Sequence, residues 1–333
     1  MTNSVRNIIL WVGCLSLVVL MIAGFFYLKH RQVKLISPIF GIPKNRFADN
    51  IWFPKEASDE SEPAMFYKIS ARSAFFVETR TGQVLFEKNA HQKLPVASLV
   101  KIMTVIIALE NRSFDEILQV SAKAANMEPD RMILIEGEKL RLEELLDGIF
   151  LVSANDAAEV LAERATGRRE DLPALTAVRQ AGRQEFINLM NSKALQLGMG
   201  DSQFINPTGL EEDGRSQYSS AYDVALMVRY AIYKWPHLVE ISSKQHIFIP
   251  ETDTHQDYDL YSGINLLTTY PGVLGFKTGY TPEAGLTLAT LARREGKEVL
   301  GVILGSEDRR DDAKELLDYS FKKLGVKNET ASD

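Results

Sequence analysis

The chain has 333 residues, of which 45% are hydrophobic and 25% are charged, a composition typical of one large folded domain with accessory segments. Its formal net charge of −6 arises from acidic and basic residues that are mixed along the chain, without the basic stripe that would neutralise a phosphate backbone. We therefore expect no nucleic acid partner.

An apolar segment near the N-terminus, residues 8–28, carries no charge over roughly the 20 residues that are needed to span a bilayer. It lacks the shorter apolar region and small-x-small cleavage site of a signal peptide, so it predicts an uncleaved transmembrane helix within a membrane anchor over 1–34. The one cysteine, Cys14, lies inside this span, which excludes an intrachain disulfide and a cysteine-based metal site. The basic residues after the span would by themselves place the rest of the chain in the cytoplasm. These residues are Lys29, Arg31 and Lys34.

A linker over 35–70 is predicted next, because prolines, aromatic residues and an acidic patch occur there without helical or strand periodicity. The pattern changes at Ser73, where the strand-like runs SAFFVET and QVLFEK are joined by RTG and predict a β-hairpin. We take this hairpin as the start of a folded domain over 71–325, followed by a polar tail over 326–333.

Helical patterns fill the middle of this domain. The first runs from about Ser98 to Glu110 and is apolar on nearly all faces, which predicts a buried central helix. Others recur at LRLEELLDGIFL, DAAEVLAERATG, RQEFINLMNSKALQLG, SSAYDVALMVRYAIYK and DDAKELLDYSFKKLG. Strand signals return near the end, at GVLGFKTGY, LTLATLAR and EVLGVILG. Two strands at the start and three near the end predict one sheet assembled from both ends of the chain.

The phrase LPVASLVKIMT places Ser98 and Lys101 on one face of the first helix, because positions i and i+3 are neighbours there. A lysine within an apolar run loses hydration, which lowers its pKa and allows the neutral amine to take a proton from a serine hydroxyl. The S-x-x-K signal alone is weak, and a lysine that reaches solvent from a core helix is the plainer interpretation.

Two later phrases strengthen the catalytic interpretation. Ser153, Ala154 and Asn155 form a polar break between two apolar helices, where an ordinary helix N-cap is the alternative. Lys277, Thr278 and Gly279 lie on a predicted strand, where an edge lysine before a turn is the alternative. The absent side chain of Gly279 would let a substrate backbone approach closely.

The three phrases S-x-x-K, S-x-N and K-T-G, in this order, form a specific constellation of serine acyl-transferring enzymes that recognise penicillin. The chain from about Arg72 to Leu324 resembles the D-alanyl-D-alanine carboxypeptidases, which are low-molecular-mass penicillin-binding proteins. The phrases FINPTGL and GINLLTTYPGVLGFKTGYTPEAG support the resemblance. It implies a β-lactamase/DD-peptidase-like α/β fold with an antiparallel sheet flanked by helices and a mostly helical subdomain.

The resemblance also implies roles for individual residues. Ser98 would be the acylated nucleophile and Lys101 its base, while Ser153 would relay a proton to the leaving amine. Asn155 would hold the substrate amide, and Lys277 would supply positive charge near both serines.

The substrate implied is the D-Ala-D-Ala end of a peptidoglycan stem peptide, and β-lactam antibiotics are the implied inhibitors. Thr278 would bind the terminal carboxylate of the peptide, helped by Arg309, with Arg310 as a close competitor. The backbone N–H groups of Ser98 and Tyr280 would form the oxyanion hole.

Other functions remain open from the sequence. A class A-like β-lactamase shares the three motifs, but Glu170 in REDLPALTAVRQ lacks the E-x-x-L-N spacing of the glutamate that holds a deacylating water. A catalytically inactive, membrane-tethered cell-wall-binding module is disfavoured by the intact Ser98, Lys101 and Lys277. Endopeptidase or transpeptidase activity is not distinguished from carboxypeptidase activity. The segment 167–183 is interpreted as an insertion that alters access to the site.

Neither a metal nor a cofactor is predicted, because the histidines lack metal-ligand spacing. They are His30, His91, His237, His246 and His255.

Peptidoglycan lies outside the membrane, so the motifs predict a single-pass bacterial membrane protein whose catalytic domain is extracytoplasmic. This orientation opposes the charge bias at the anchor, and we give the motifs greater weight.

Overall fold

The computed structural model describes residue 54 and residues 68–164, 176–212, 214–215 and 217–326, within a compact unit that spans Trp52–Asp333. Several predicted features lie outside the described residues, namely the span at 8–28 with Cys14, most of the linker, Glu170 and the residues after 326. Within the described residues, no helix combines the length and apolar character required to cross a membrane.

Nine strands are found in the described part of the chain. They are β1 (Ser73–Glu78), β2 (Val84–Lys88), β3 (Ile117–Gln119), β4 (Lys139–Arg141), β5 (His246–Ile249), β6 (Tyr258–Tyr261), β7 (Val273–Thr281), β8 (Gly285–Arg294) and β9 (Lys297–Ser306).

The α-helices of the same residues are α1 (Val100–Asn111), α2 (Ala122–Ala125), α3 (Leu142–Leu151), α4 (Asn155–Arg164), α5 (Thr176–Gln196), α6 (Ala221–Lys234), α7 (His237–Ser243), α8 (Leu266–Thr269) and α9 (Arg309–Lys323). A short 3₁₀ turn, Ala97–Leu99, leads directly into α1.

The main sheet has five antiparallel strands in the order β2-β1-β9-β8-β7. The predicted assembly from both ends of the chain is therefore confirmed, with β1 pairing β9 across the whole helical middle of the domain. This order leaves β7 at one edge of the sheet, where its outer side contacts the 3₁₀ turn before α1.

Both faces of the sheet are buried in apolar cores. Alternate residues of β1 point to opposite faces, so Phe75 joins the larger core with α1 while Phe76 joins the smaller core with α9. Helix α1 lies in the larger core with ten of its twelve residues buried, as its apolar composition predicts. The turn that carries Ser98 is thus held between helix α1 and the edge strand β7.

The structure differs from the prediction at one helix boundary and in two short hairpins. Helix α5 begins at Thr176 rather than near Arg183, so the second half of the 167–183 segment is helical rather than loop. The run TAVRQAGR contains good helix formers, and the glycine within it did not end the helix. The short hairpins β3-β4 and β5-β6 were not predicted, because three- and four-residue strands carry little periodicity.

Candidate active site

Ser98 lies in the middle of the 3₁₀ turn, and Lys101 lies in the first turn of α1. Lys101 is completely buried, and its Nζ is 2.8 Å from Ser98 Oγ. Ala97, immediately before the serine, has a φ of +48°, a left-handed conformation that is uncommon and strained for alanine. The i, i+3 contact predicted from the sequence is therefore present at hydrogen-bond distance.

The Lys101 amine has a second neighbour, the backbone carbonyl of Thr208, at 2.8 Å. A carbonyl can only accept, so Nζ must donate a proton to it. Burial holds the pKa of the Lys101 amine well below its usual range, and the nearby charge of Lys277 lowers it further. In the neutral amine, the remaining lone pair can then accept the proton of the Ser98 hydroxyl.

A buried pair of side-chain amides holds the Thr208 carbonyl in place. Asn206 Oδ1 accepts from the backbone N–H groups of Thr208 and Gly209, at 3.2 and 2.9 Å. It also accepts from Gln217 Nε2 at 2.6 Å, while Asn206 Nδ2 donates to the Leu210 carbonyl at 2.7 Å. The phrase FINPTGL therefore orients the Lys101 amine, a role that sequence reasoning missed because the contacting atom belongs to the backbone.

The second serine and the second lysine of the motifs also meet. Ser153 follows α3 with a φ of +61°, and its Oγ is 2.9 Å from Lys277 Nζ. The same amine donates to the Thr278 carbonyl at 2.8 Å. Burial, followed by the positive charge of Arg309, lowers the pKa of Lys277 to about 7. Two buried amines thus lie near two serine hydroxyls.

Asn155 is the first residue of α4, and its buried Oδ1 has no hydrogen-bond partner within the described chain. Its Nδ2 donates to the Pro129 carbonyl. An unpaired buried acceptor is rare in native proteins, and here it suits the N–H of a bound amide. At the start of α4, the side chain of Asp156 rather than that of Asn155 accepts a hydrogen bond from a backbone N–H, that of Ala157, at 2.8 Å.

Asp156 also fastens the loop beside the site. Its carboxylate accepts from three consecutive backbone N–H groups, those of Met132, Ile133 and Leu134, at 3.0–3.1 Å. The backbone carbonyl of Asp130 in this loop accepts from Asn155 N at 2.7 Å. The Asp130 carboxylate raises the pKa of Lys101, against the larger lowering effect of burial. From the sequence, Asp156 was considered only as a helix N-cap, and Asp130 was not singled out.

Two glycines enclose the turn that carries Ser98. A Cβ on Gly279 would lie 2.8 Å from Ser98 N, and a Cβ on Gly209 would lie 2.1 Å from the Ala97 carbonyl oxygen. Thr287 Oγ1 and the turn that carries Ser98 fill the space beside Gly279, so strand β7 packs directly against that turn. Close approach of a substrate backbone at Gly279 stays a prediction.

The remaining candidates surround the end of β7. Arg309, the first residue of α9, donates from Nη1 to the Gly279 carbonyl at 2.8 Å, and burial lowers its pKa. Thr278 and Arg309 both line a small cavity, which Arg310 also touches. Arg310 is exposed and is paired with Asp311, so Arg309 is the more firmly positioned of the two arginines.

Tyr280 is 60% exposed, and the prediction concerned only its backbone N–H, as a donor of the oxyanion hole.

In the described ranges, no group of three or more His, Cys, Asp or Glu side chains is arranged to hold a metal ion.

These features are typical of a serine acyl-transfer enzyme of the penicillin-recognising class. They are a buried lysine on an edge strand, a serine beside a buried amine with a lowered pKa, and an α/β fold with an antiparallel sheet. The chain matches the D-alanyl-D-alanine carboxypeptidase family over residues 56–308 and belongs to this family. The resemblance drawn from the motifs is thereby confirmed.

Individual relatives agree with this assignment. The D-alanyl-D-alanine carboxypeptidase DacF of Bacillus subtilis is 32% identical over 295 residues, which cover 86% of this chain and 70% of that protein. The Streptomyces K15 DD-transpeptidase has a similar structure, with a TM-score of 0.70 and 26% identity over 79% of this chain and all of that one. Ampicillin-bound penicillin-binding protein D2 of Listeria monocytogenes has a TM-score of 0.61 and 30% identity over 76% of this chain and 98% of its own.

Proposed function

We propose that the protein is a serine D-alanyl-D-alanine carboxypeptidase that removes the terminal D-alanine of peptidoglycan stem peptides and is acylated by β-lactams. The observation that carries this proposal is the fully buried Lys101 amine, 2.8 Å from Ser98 Oγ, in a chain of this family. Penicillin-binding protein D2, a structural neighbour, binds ampicillin and cefotaxime, which supports the β-lactam part of the proposal.

In the proposed acylation step, Ser98 Oγ attacks the carbonyl carbon of the penultimate D-alanine while Lys101 Nζ takes the hydroxyl proton. The backbone N–H groups of Ser98 and Tyr280 stabilise the oxyanion. Ser153, beside the Lys277 amine, passes a proton to the departing D-alanine nitrogen. Water then hydrolyses the ester and restores Ser98.

The rest of the site binds the peptide. The unpaired Oδ1 of Asn155 accepts the N–H of the substrate amide. Thr278 and Arg309, which share a cavity, bind the terminal carboxylate through a hydroxyl and a guanidinium. Gly279 keeps the strand close enough to the nucleophile turn for both halves of the site to act on one bond.

Arg309→Ala should weaken the turnover of peptides that end in free D-alanine by about 10- to 150-fold in kcat/KM, as expected for loss of a charge-assisted hydrogen bond worth about 1.5–3 kcal/mol. Acylation by a penicillin should fall less, since its other contacts remain. The measurement pairs D-alanine release with penicillin acylation. Arg310→Ala is the matched control, because the exposed neighbouring arginine has the same charge. Equal losses in both variants, or none in Arg309→Ala, would move the carboxylate site elsewhere.

The lifetime of the penicilloyl ester separates this proposal from a class A-like β-lactamase. We expect a lifetime of minutes or longer, because the sequence around Glu170 lacks the spacing of a water-activating glutamate. Rapid penicillin turnover without D-alanine release would favour the β-lactamase.

We also propose an anchor at 1–34, with its span at 8–28, a linker at 35–70 and a catalytic domain at 71–325 on the extracytoplasmic side of a bacterial membrane. The uncharged length of 8–28 supports the anchor, and the location of peptidoglycan supports the orientation. Protease digestion of intact spheroplasts should remove the catalytic domain. Complete protection, with digestion after lysis as control, would contradict the orientation.

A further inference from the structure

A network of ion pairs joins two elements of the candidate active site, and the proposed mechanism uses none of its residues. It consists of Lys123, Glu159, Arg183 and Glu212 and is here called the ion-pair network. Glu159 Oε1 accepts from Lys123 Nζ and, at 3.0 Å, from Arg183 Nε. Arg183 Nη1 and Nη2 donate to the two carboxylate oxygens of Glu212 at 3.1 and 2.9 Å. Arg183 therefore lies at the centre of the network.

One end of the network lies on helix α4. Asn155 is the first residue of this helix, and Glu159 follows one turn later on the same face. Glu159 is completely buried, and its Oε2 has no hydrogen-bond partner within the described residues. Burying a carboxylate is unfavourable unless cations pair with it, and desolvation offsets most of the stability that the pairing contributes. This ion pair is therefore better explained by the geometry that it fixes than by a gain in stability.

The other end of the network lies at the segment that orients Lys101. Burial raises the pKa of Glu212, but the hydrogen bond and charge of Arg183, together with a hydrogen bond from Asn206, outweigh burial and lower that pKa below its usual value. Asn206 Oδ1 accepts from Thr208 N, and the Thr208 carbonyl accepts from Lys101 Nζ. A continuous series of polar contacts thus connects Arg183 with the Lys101 amine.

Helix α5, which carries Arg183, holds the same segment at a second point. Asn191 lies about two turns beyond Arg183 on this helix. Its Nδ2 donates to the Phe204 carbonyl at 2.8 Å, and its Oδ1 accepts from Phe204 N at 2.9 Å. Helix α5 therefore contacts the segment at its start, through Asn191, and at its end, through Glu212. Arg183 in addition contacts α4 through Glu159.

The contacts of Arg183 require the shape of a guanidinium. Its Nε faces Glu159, while Nη1 and Nη2 form a bidentate pair with Glu212. The guanidinium is planar and presents these donors in a fixed fork, so the two carboxylates are held at a set distance and angle. A lysine, with one nitrogen on a flexible stem, could not make these three contacts in one arrangement.

We propose that Arg183 is a positioning residue for acylation, which holds the Thr208 carbonyl in a fixed place relative to helix α4. In this arrangement the Lys101 amine is aimed at Ser98 Oγ while Asn155 faces the same substrate bond. The inference rests on the proposed function, because it takes Lys101 as the base. Displacement of a reacting group by about 1 Å can cost on the order of 10²-fold in rate, so a residue that never touches the substrate can still set the rate.

The test measures the rate constant of acylation by a saturating fluorescent penicillin, with full-length protein, for Arg183→Met and Glu212→Gln. Arg183→Met should lower this rate constant by about 10- to 100-fold. Glu212→Gln should lower it less, because glutamine keeps the shape of the side chain. Glu159 stays paired with Arg183 and Lys123 in Glu212→Gln, so this variant retains the buried part of the network.

The pH dependence of acylation distinguishes positioning from a direct effect of charge. The Thr208 carbonyl stabilises the Lys101 ammonium, so displacing it lowers the pKa of the amine further. The midpoint of the rise in acylation with pH should therefore move to lower pH in both variants. The other charges that act on Lys101 are unchanged; they belong to Lys277, Asp130 and Asp156.

A direct effect of charge would move the two midpoints in opposite directions, because Arg183→Met removes a cation and Glu212→Gln removes an anion. Opposite shifts would therefore overturn the inference. If Arg183→Met does not fold, the rate of Glu212→Gln at high pH decides, because the Lys101 amine is neutral there and only a loss of orientation lowers the rate. A wild-type rate for Glu212→Gln at high pH would then overturn the inference.

Lys193→Met is the matched control, because it removes another ion pair of α5, the one with Glu110. Its acylation rate and midpoint should equal those of wild type. If Arg183→Met acylates as fast as this control, the inference is wrong and the proposed function stands. If wild-type protein is not acylated at all, the proposed function itself is rejected.

Discussion

Lys101→Ala is expected to lower the rate at which a fluorescent penicillin acylates Ser98 by about 10²–10⁴-fold, and to lower D-alanine release by a similar factor. The hydroxyl of Ser98 would lose the amine 2.8 Å away that accepts its proton. The measurement is the acylation rate constant at saturating penicillin, so that weaker binding does not enter.

Lys101→Met separates loss of the base from loss of packing. Methionine has a similar length and no charge, so it fills the completely buried site without leaving a cavity. Both variants should show a loss of acylation rate of this size. The wild-type acylation rate should rise with pH as the Lys101 ammonium loses its proton at a lowered pKa, and this rise should be absent from both variants. Acylation of Lys101→Met at near wild-type rates would exclude the amine as base.

Gly209→Ala is expected to reduce acylation and to lower the free energy of unfolding by about 1–3 kcal/mol, as overpacking of a filled interior does. The new Cβ would lie 2.1 Å from the Ala97 carbonyl oxygen and 2.4 Å from its carbon. Both are backbone atoms, so no side-chain rotation relieves the collision. The turn that carries Ser98 must therefore shift.

Gly137→Ala is the control for this substitution. Gly137 has a φ of +91°, close to the +96° of Gly209, but a Cβ there would meet nothing within 4 Å. It should show the cost of a left-handed alanine alone, about 1–2 kcal/mol, with normal acylation. If both variants acylate at the wild-type rate, Gly209 does not position the nucleophile.

The local part of the site could be predicted from the sequence. Ser98 and Lys101 are three residues apart, in the 3₁₀ turn and in the first turn of α1 that continues it, so their contact follows from the geometry of a helical turn. The apolar neighbours predict the burial that lowers the pKa of Lys101. The five-stranded sheet could also be predicted, because its strands have strong apolar patterns.

Contacts between distant residues could not be derived in this way. Ser153 and Lys277 are 124 positions apart, and only the family resemblance suggested that they meet. Thr208 contributes a backbone carbonyl, for which its side chain gives no signal. The contact of Gly279 with the turn that carries Ser98 was not predicted, because a missing side chain shows that something lies close without showing what.

The most direct test of the account is to map the penicillin adduct on the full-length protein by mass spectrometry, together with D-alanine release from a D-Ala-D-Ala peptide. We predict a single penicilloyl ester, located on Ser98, and loss of both the adduct and D-alanine release in Ser98→Ala. An adduct on another residue, or D-alanine release that persists in Ser98→Ala, would contradict the assignment of Ser98 as the nucleophile of a serine D-alanyl-D-alanine carboxypeptidase.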